Sequence, residues 1–271
     1  MPVPTWGATE ITAIVPKRSR FIIVTYADEN FQAEQELFCE LNKDIADQLL
    51  RCGPADIPPP YKDFYMRLLE RPHPFKEDWY MNKAAKTAYY FWKPVIIYHT
   101  LLEAGPNDII IYADTRSRIF RLSIKEEISK IFAENERSRT TKIPIILSQN
   151  PWLLELVCLP IMFKLMNLED VRYRHSLQWS AHAIILKNTL EVRSFVLKWI
   201  NNMMIEDGRI LTDDSLPHPD ATTSQGGYRH SCNDQSILNL TLLKDNLSPI
   251  HCDSLIAWYP NVKDKYAMPL P

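Results

Sequence analysis

The chain has 271 residues, 46% hydrophobic and 24% charged, enough for one large domain with its own core. Its 31 basic and 33 acidic residues nearly cancel, which argues against a duplex nucleic-acid binder. No run approaches the ~20 apolar residues of a membrane span. Residues 1–20 hold no apolar leader, and the five scattered cysteines form no CxxC pair, so a soluble, cytoplasmic protein without structural zinc or disulfides is expected.

In chain order, FIIVTY (21–26) reads as a short buried strand, followed by a helix from about Phe31 to Leu50. Residues 53–60 carry four prolines and read as a loop. Trp92 to Glu103 reads as a helix with Pro94 in its first turn and Gly105 as its stop. A strand over 108–113 follows. Ser123-Ile-Lys-Glu126 has the pattern of a capping box opening a helix with Ile124, Ile128, Ile131 and Phe132 on one face.

Ile143 to Leu147 reads as a strand with Pro144 at its start or at a sheet edge, and Pro151 to Met166 as an apolar helix. Val192, Phe195, Val196, Trp199, Ile200 and Met203 keep helical spacing. Residues 207–230 read as a long loop, Asp234 to about Lys244 as the last regular element, and the tail from about 260 as loosely held. Strands alternating with helices predict a single α/β domain over 1–271, with a mostly parallel sheet flanked by helices. Ligands of such sheets sit at the carboxyl ends of strands, here Thr25-Tyr-Ala-Asp28 and Tyr112-Ala-Asp114. There is no GxGxxG, no Walker A loop and no GxSxG elbow.

Four segments can carry chemistry. Asp114 ends a strand, where it either holds a hard cation or ribose, or simply forms a turn. Asp234 and Gln235 open the last helix. A carboxylate there is favoured by the helix dipole and can equally serve as a general base beside a cleft. Arg229 and His230, just upstream, can meet phosphate oxygens. Lys93, in FWKP (91–94), either lies along Trp92 or points into a cleft, and Lys187-Asn188 close QWSAHAIILKN (178–188). His251 is a lone late histidine.

Taken in order, VTYADENF (24–31), FWKPVII (91–97), NDIIIYAD (107–114), QWSAHAIILKN (178–188), FVLKW (195–199) and RHSCNDQSIL (229–238) resemble a family of GT-A-type glycosyltransferases that use nucleotide-activated sugars. The resemblance covers roughly residues 20–245 and implies a GT-A-like (Rossmann-like) fold. It implies transfer of a sugar from a nucleoside-diphosphate sugar, UDP by family habit, to a glycan acceptor hydroxyl. An alternative is a binding module of the same fold that has lost the chemistry.

By this resemblance Asp114 holds Mn²⁺ or Mg²⁺ on the diphosphate, with His251 as a further metal ligand, and Asp234 is the catalytic base with Gln235 orienting donor or acceptor. Thr25, Tyr26 and Asp28 face the base and ribose. Lys93, Lys187, Asn188 and Arg229 complete the donor site. Arg116 stands where the family often has a small residue, and a guanidinium there can serve a diphosphate in place of a metal.

Overall fold

The computed structural model describes residues 18–71, 88–119, 123–138, 142–212, 233–253 and 255–258. Its centre is a six-stranded sheet. In chain order the strands are β1 (Phe21–Tyr26), β2 (Gln48–Cys52), β3 (Ile109–Ala113), β5 (Lys142–Leu147), β8 (Ala183–Lys187) and β9 (Ser248–His251), arranged β2-β1-β3-β8-β5-β9. Only β8 runs against its neighbours β3 and β5; the other pairings are parallel. Two small antiparallel ribbons flank the sheet. One joins β4 (Ser117–Ile119) to β10 (Ile256–Trp258), the other β6 (Gln149–Leu153) to β7 (Leu177–Trp179).

The central strands read as unbroken apolar runs because both faces of the sheet are covered. Val24, Tyr26, Ile110, Tyr112, Ile145 and Ile184 face one layer. That layer contains α2 (Pro59–Glu70), α3 (Trp92–Glu103), α5 (Pro160–Leu165), α7 (Leu190–Met203) and α9 (Asn233–Lys244). Ile23, Ile109, Ile111, Ala113, Ile146 and Ile185 face the other layer, where α1 (Gln32–Asn42) and α4 (Ile124–Arg137) pack. The short α6 (Val171–Arg174) and α8 (Ile205–Thr212) complete the set. The result is the expected α/β domain with a mostly parallel sheet between helices. No helix among the described residues is long and apolar enough to cross a membrane.

Several sequence expectations are corrected. The first helix stops at Asn42, and Leu49 and Leu50 belong to β2, an edge strand only partly covered on each face. The proline-rich loop ends at Pro58. Pro59 and Pro60 open α2, because the first helical turn has no use for their missing N–H groups. Pro151 to Met166 is not one helix. It is divided between β6, a short turn and α5, which restarts at Pro160 after an extended Leu159. Buried and partly exposed residues alternate here with no helical period, because the segment is split among three short elements.

Pro144 lies inside the sheet, where the β5–β9 register is irregular between Lys142 and Ile146. Ser123 caps α4 without a side-chain bond to the backbone, so the capping box does not form. Residues 207–212 of the expected long loop belong to α8, which contains a left-handed turn at Glu206–Gly208, and β9 and β10 follow the supposed last helix. Residues 213–232 and the tail from 259 lie outside the described residues.

The amino end of β3 is tied by two polar side chains. Asp108 accepts from the backbone N–H and guanidinium of Arg20 at 2.7–2.9 Å and from the Gly105 N–H at 2.8 Å. Asn188 donates to the carbonyls of Leu101, Ala104 and Gly105, satisfying the free end of α3. Burial raises the Asp108 pKa, but the hydrogen bonds and charge of Arg20 outweigh it and hold the group below 3.8. Its stabilising contribution is therefore present above that value and lost as pH falls through the lower folded value. Asp108→Asn lowers the Tm near neutral pH, and the deficit stays level down to about pH 5 and shrinks as pH falls further; a deficit that does not shrink below about pH 5 contradicts the linkage.

Candidate active site

The pairing of β1 with β3 sets their carboxyl ends side by side, with Val24 opposite Tyr112. Antiparallel β8 begins at the same level, since Ala113 pairs with Ala183. Three helix or turn starts open onto this end: α3 brings Lys93, α9 brings Asp234, and the turn between β7 and β8 brings Ser180 to His182.

These segments meet at one ammonium group. Lys93 Nζ lies 2.7 Å from Asp234 Oδ2 and 3.5 Å from Asp114 Oδ1, and it donates to the Ala181 carbonyl at 3.1 Å. Asp234 Oδ2 has no other partner among the described residues. The rings of Tyr112, Tyr90 and Trp92 stand 5.3, 5.7 and 5.8 Å from the ammonium, within cation–π range. Lys93 and Asp234 are buried, their side chains 6% and 4% exposed, while Asp114 is 31% exposed. The Tyr112 hydroxyl donates to Asp114 Oδ1.

Burial alone would strip the charge from this lysine, yet Asp114 and Asp234 outweigh it and hold the ammonium above the usual lysine range. Burial also lifts Asp234 above the usual carboxylate range, with Lys93 opposing and Asp114 adding to the shift. Tyr112 is pushed far above an ordinary phenol by burial and then by Asp114, so its proton stays in place.

The surroundings hold this arrangement rigidly. From Asn233 through Leu242 every residue of α9 is buried. Gln235 Oε1 accepts from the Ala181 N–H at 2.8 Å, and Asn239 exchanges hydrogen bonds with both backbone groups of Trp179. One turn apart on α9, these two amides fasten the strand turn that supplies the Ala181 carbonyl. Trp199 Nε1 donates to the Asp234 carbonyl at 2.9 Å. Ahead of α3, Ala88, Tyr89 and Tyr90 all take left-handed φ values of 48, 54 and 60°. Each costs about 1–2 kcal/mol for a non-glycine residue. Tyr89 is fully buried, and the strained turn presents the Tyr90 ring to Lys93.

The sequence-predicted residues separate into groups. Lys93, Asp114 and Asp234 come together. Arg116 lies in the turn after β3, two residues past Asp114, its guanidinium 5.2 Å from the Phe31 ring. Gln235 is close, but its carbonyl oxygen is engaged with the backbone. Tyr26 is a buried packing residue: its ring stacks on Trp92 at 3.8 Å and its hydroxyl meets Tyr65. Thr25 is fully buried and, by strand alternation, faces the α1 layer. Asp28 accepts from the Asn30 N–H in a local turn.

Lys187 and Asn188 do not join the cluster. They lie at the opposite end of the sheet, where Lys187 pairs with Glu136 and Ile109 faces it across the ladder. Antiparallel β8 carries its later residues away from Asp114. His251 lies on the edge strand β9, with β8 and β5 between it and β3, and pairs with Asp253 at 2.9 Å. Arg229 and His230 lie outside the described residues.

Sequence reasoning missed His182. Its carbonyl accepts from the Asp114 N–H at 2.8 Å, and its ring Nδ1 meets the Ser180 hydroxyl. Nε2 is buried with no partner among the described residues, and burial lowers the ring's pKa, with Asp114 opposing. Recognising AIILK (183–187) as a strand pairing with β3 would have placed it next to Asp114.

The expected Mn²⁺ or Mg²⁺ does not fit this donor set. Among the described residues no three His, Cys, Asp or Glu side chains converge on one point. The inner oxygen of Asp114 is engaged by Tyr112 and Lys93, and His251 is held elsewhere.

No family model matches the chain. No curated protein matches it either. Among solved structures it is similar to the galactosyltransferase LgtC in complex with donor and acceptor sugar analogues, at 13% identity over 86% of this chain and 73% of that one, with a TM-score of 0.42. It is also similar to mouse xyloside xylosyltransferase 1 in its apo form, at 10% identity over 87% of this chain and 85% of that one, with a TM-score of 0.44.

Removing one member of a buried ion pair costs about 3–5 kcal/mol because a charge is left uncompensated. Lys93→Met therefore lowers stability to urea by about that much near pH 8, and by less near pH 5, where the stranded Asp234 takes up a proton. Equal losses at the two pH values contradict a charge-based role.

Proposed function

We propose that the chain is a glycosyltransferase that takes its sugar from a nucleoside-diphosphate donor, UDP-linked by the motif resemblance, and passes it to a glycan hydroxyl. The observation that supports this reading is convergence. Lys93, Asp114 and Asp234 come from three of the segments that carry the resemblance, distant in sequence, and they meet at a single point. That point lies at the carboxyl ends of β1 and β3, between which the strand order β2-β1-β3 switches sides, the position at which open α/β sheets bind ligands.

In such a transfer the bond between the anomeric carbon and the diphosphate oxygen breaks, the acceptor oxygen bonds to that carbon, and the acceptor's proton passes to a base. Asp234 is the proposed base. A carboxylate lifted above its usual range is better matched to that task near neutral pH. Arg116 is the proposed cation for the diphosphate leaving group, since a guanidinium binds phosphate oxygens in pairs. Asp114, the more exposed carboxylate, faces the donor, and Tyr112 and Lys93 hold it in orientation.

A second reading, a binding module without turnover, is favoured by the burial of Asp234, one of whose carboxylate oxygens is held by Lys93. A screen of UDP-, GDP- and dTDP-sugars for donor hydrolysis and thermal shift separates the two. The enzyme reading expects a higher Tm with one nucleoside diphosphate and slow release of its sugar. Asp234→Asn should then cut turnover by about 10²–10⁴-fold while the thermal shift survives. A thermal shift with no release from any sugar supports the binding module, and no shift with any nucleotide sinks both.

A further inference from the structure

We propose that the Lys93 ammonium is the resident cation of this site: it fills the space between Asp114 and Asp234, so the site takes no divalent ion and binds its ligand without one. The observation is the shell around Nζ. Oxygens of Asp234, Ala181 and Asp114 stand at 2.7, 3.1 and 3.5 Å, from three separate segments, and three aromatic rings close the remaining sides. This is the environment of a bound cation, supplied here by a side chain.

The ammonium has no route out. Lys93 sits in the first turn of α3 with its whole side chain buried. A divalent ion using the same carboxylates would have to sit against this positive charge in a poorly screened interior, where repulsion at a few ångströms is large. Two further residues agree. The position two after Asp114 is a cation, Arg116, rather than a ligand, and His251 is tied to Asp253. With Lys93 counted, the cluster has one positive group against two carboxylates, so half of its negative charge is already balanced from within.

The part of the proposal that concerns a ligand rests on the nucleotide-sugar reading above; the exclusion of metal does not. The test uses the full chain, stripped of metal, with Mn²⁺ alone as the first probe, followed by the paramagnetic signal of free Mn²⁺ and by Tm. Wild type and Lys93→Arg are expected to leave both unchanged. Lys93→Ala leaves two carboxylates and the Ala181 carbonyl around an emptied space. It is expected to bind one Mn²⁺ and to gain roughly 3–6 °C at about ten times its Kd.

Wild-type binding that Asp114→Asn abolishes overturns the proposal, as does a folded Lys93→Ala protein that takes no Mn²⁺. If Lys93→Ala does not fold, the titrations of wild type and Lys93→Arg decide the matter: no binding sensitive to Asp114→Asn supports the proposal, and such binding overturns it. In the second arm UDP is expected to raise the wild-type Tm equally with and without EDTA. A rise lost in EDTA overturns the proposal. No response to any nucleoside diphosphate counts against the donor reading and leaves the Mn²⁺ arm in force.

Discussion

A lysine buried among aromatic rings is the constraint on which this end of the molecule depends. An ammonium taken out of water is costly unless it is paired and hydrogen-bonded. Lys93, carried by α3, meets that demand only when the end of β3, α9 and the turn before β8 are all in place, because each of the three supplies one of its oxygen partners. The polar contacts behind the cluster follow from this. Gln235 and Asn239 on α9 fasten the turn that carries the Ala181 carbonyl, and Trp199 fastens the backbone of Asp234. The left-handed turn at Ala88–Tyr90, unfavourable in isolation, persists because Tyr89 is locked in the core and Tyr90 stands against the ammonium.

The same arrangement explains why Asp114 and Asp234 differ. Asp114 stands at a strand end, partly open to solvent, and receives the Tyr112 hydroxyl. Asp234 opens a helix that is buried along most of its length, and its carboxylate depends on Lys93. One carboxylate is thus available to a ligand while the other is held in reserve with an elevated pKa. That division matches the separate tasks proposed for the two carboxylates, and under that proposal an acceptor must come in close beside Lys93.

Much of this was legible in the sequence where local pattern and burial agree. FIIVTY and IIIYA are apolar runs short enough to be strands, and both are covered on two faces. The stripe from Val192 to Met203 is a helix with all six marked residues buried. Lys93, Asp114 and Asp234 were each nominated, but not their contact, because ion pairing across such distances leaves no local signature. Errors cluster where short elements and partial burial leave no clean period. Edge strand β2 reads as part of a helix, and the mainly apolar 151–166 segment reads as one helix although it is split among a strand, a turn and a short helix. Lys187 and Asn188 were drawn into the site because the reversed direction of β8 depends on sheet topology. His182 was passed over for the same reason.

The central claim is that Lys93 and Asp234 act as one electrostatic unit. A double-mutant cycle of Lys93→Met and Asp234→Asn, read by urea unfolding, measures this directly, because it removes the separate costs of each change. Coupling of about 1–3 kcal/mol, with the double variant more stable than the two single losses together would give, is the predicted result. Losses that add within about 0.3–0.5 kcal/mol would contradict it.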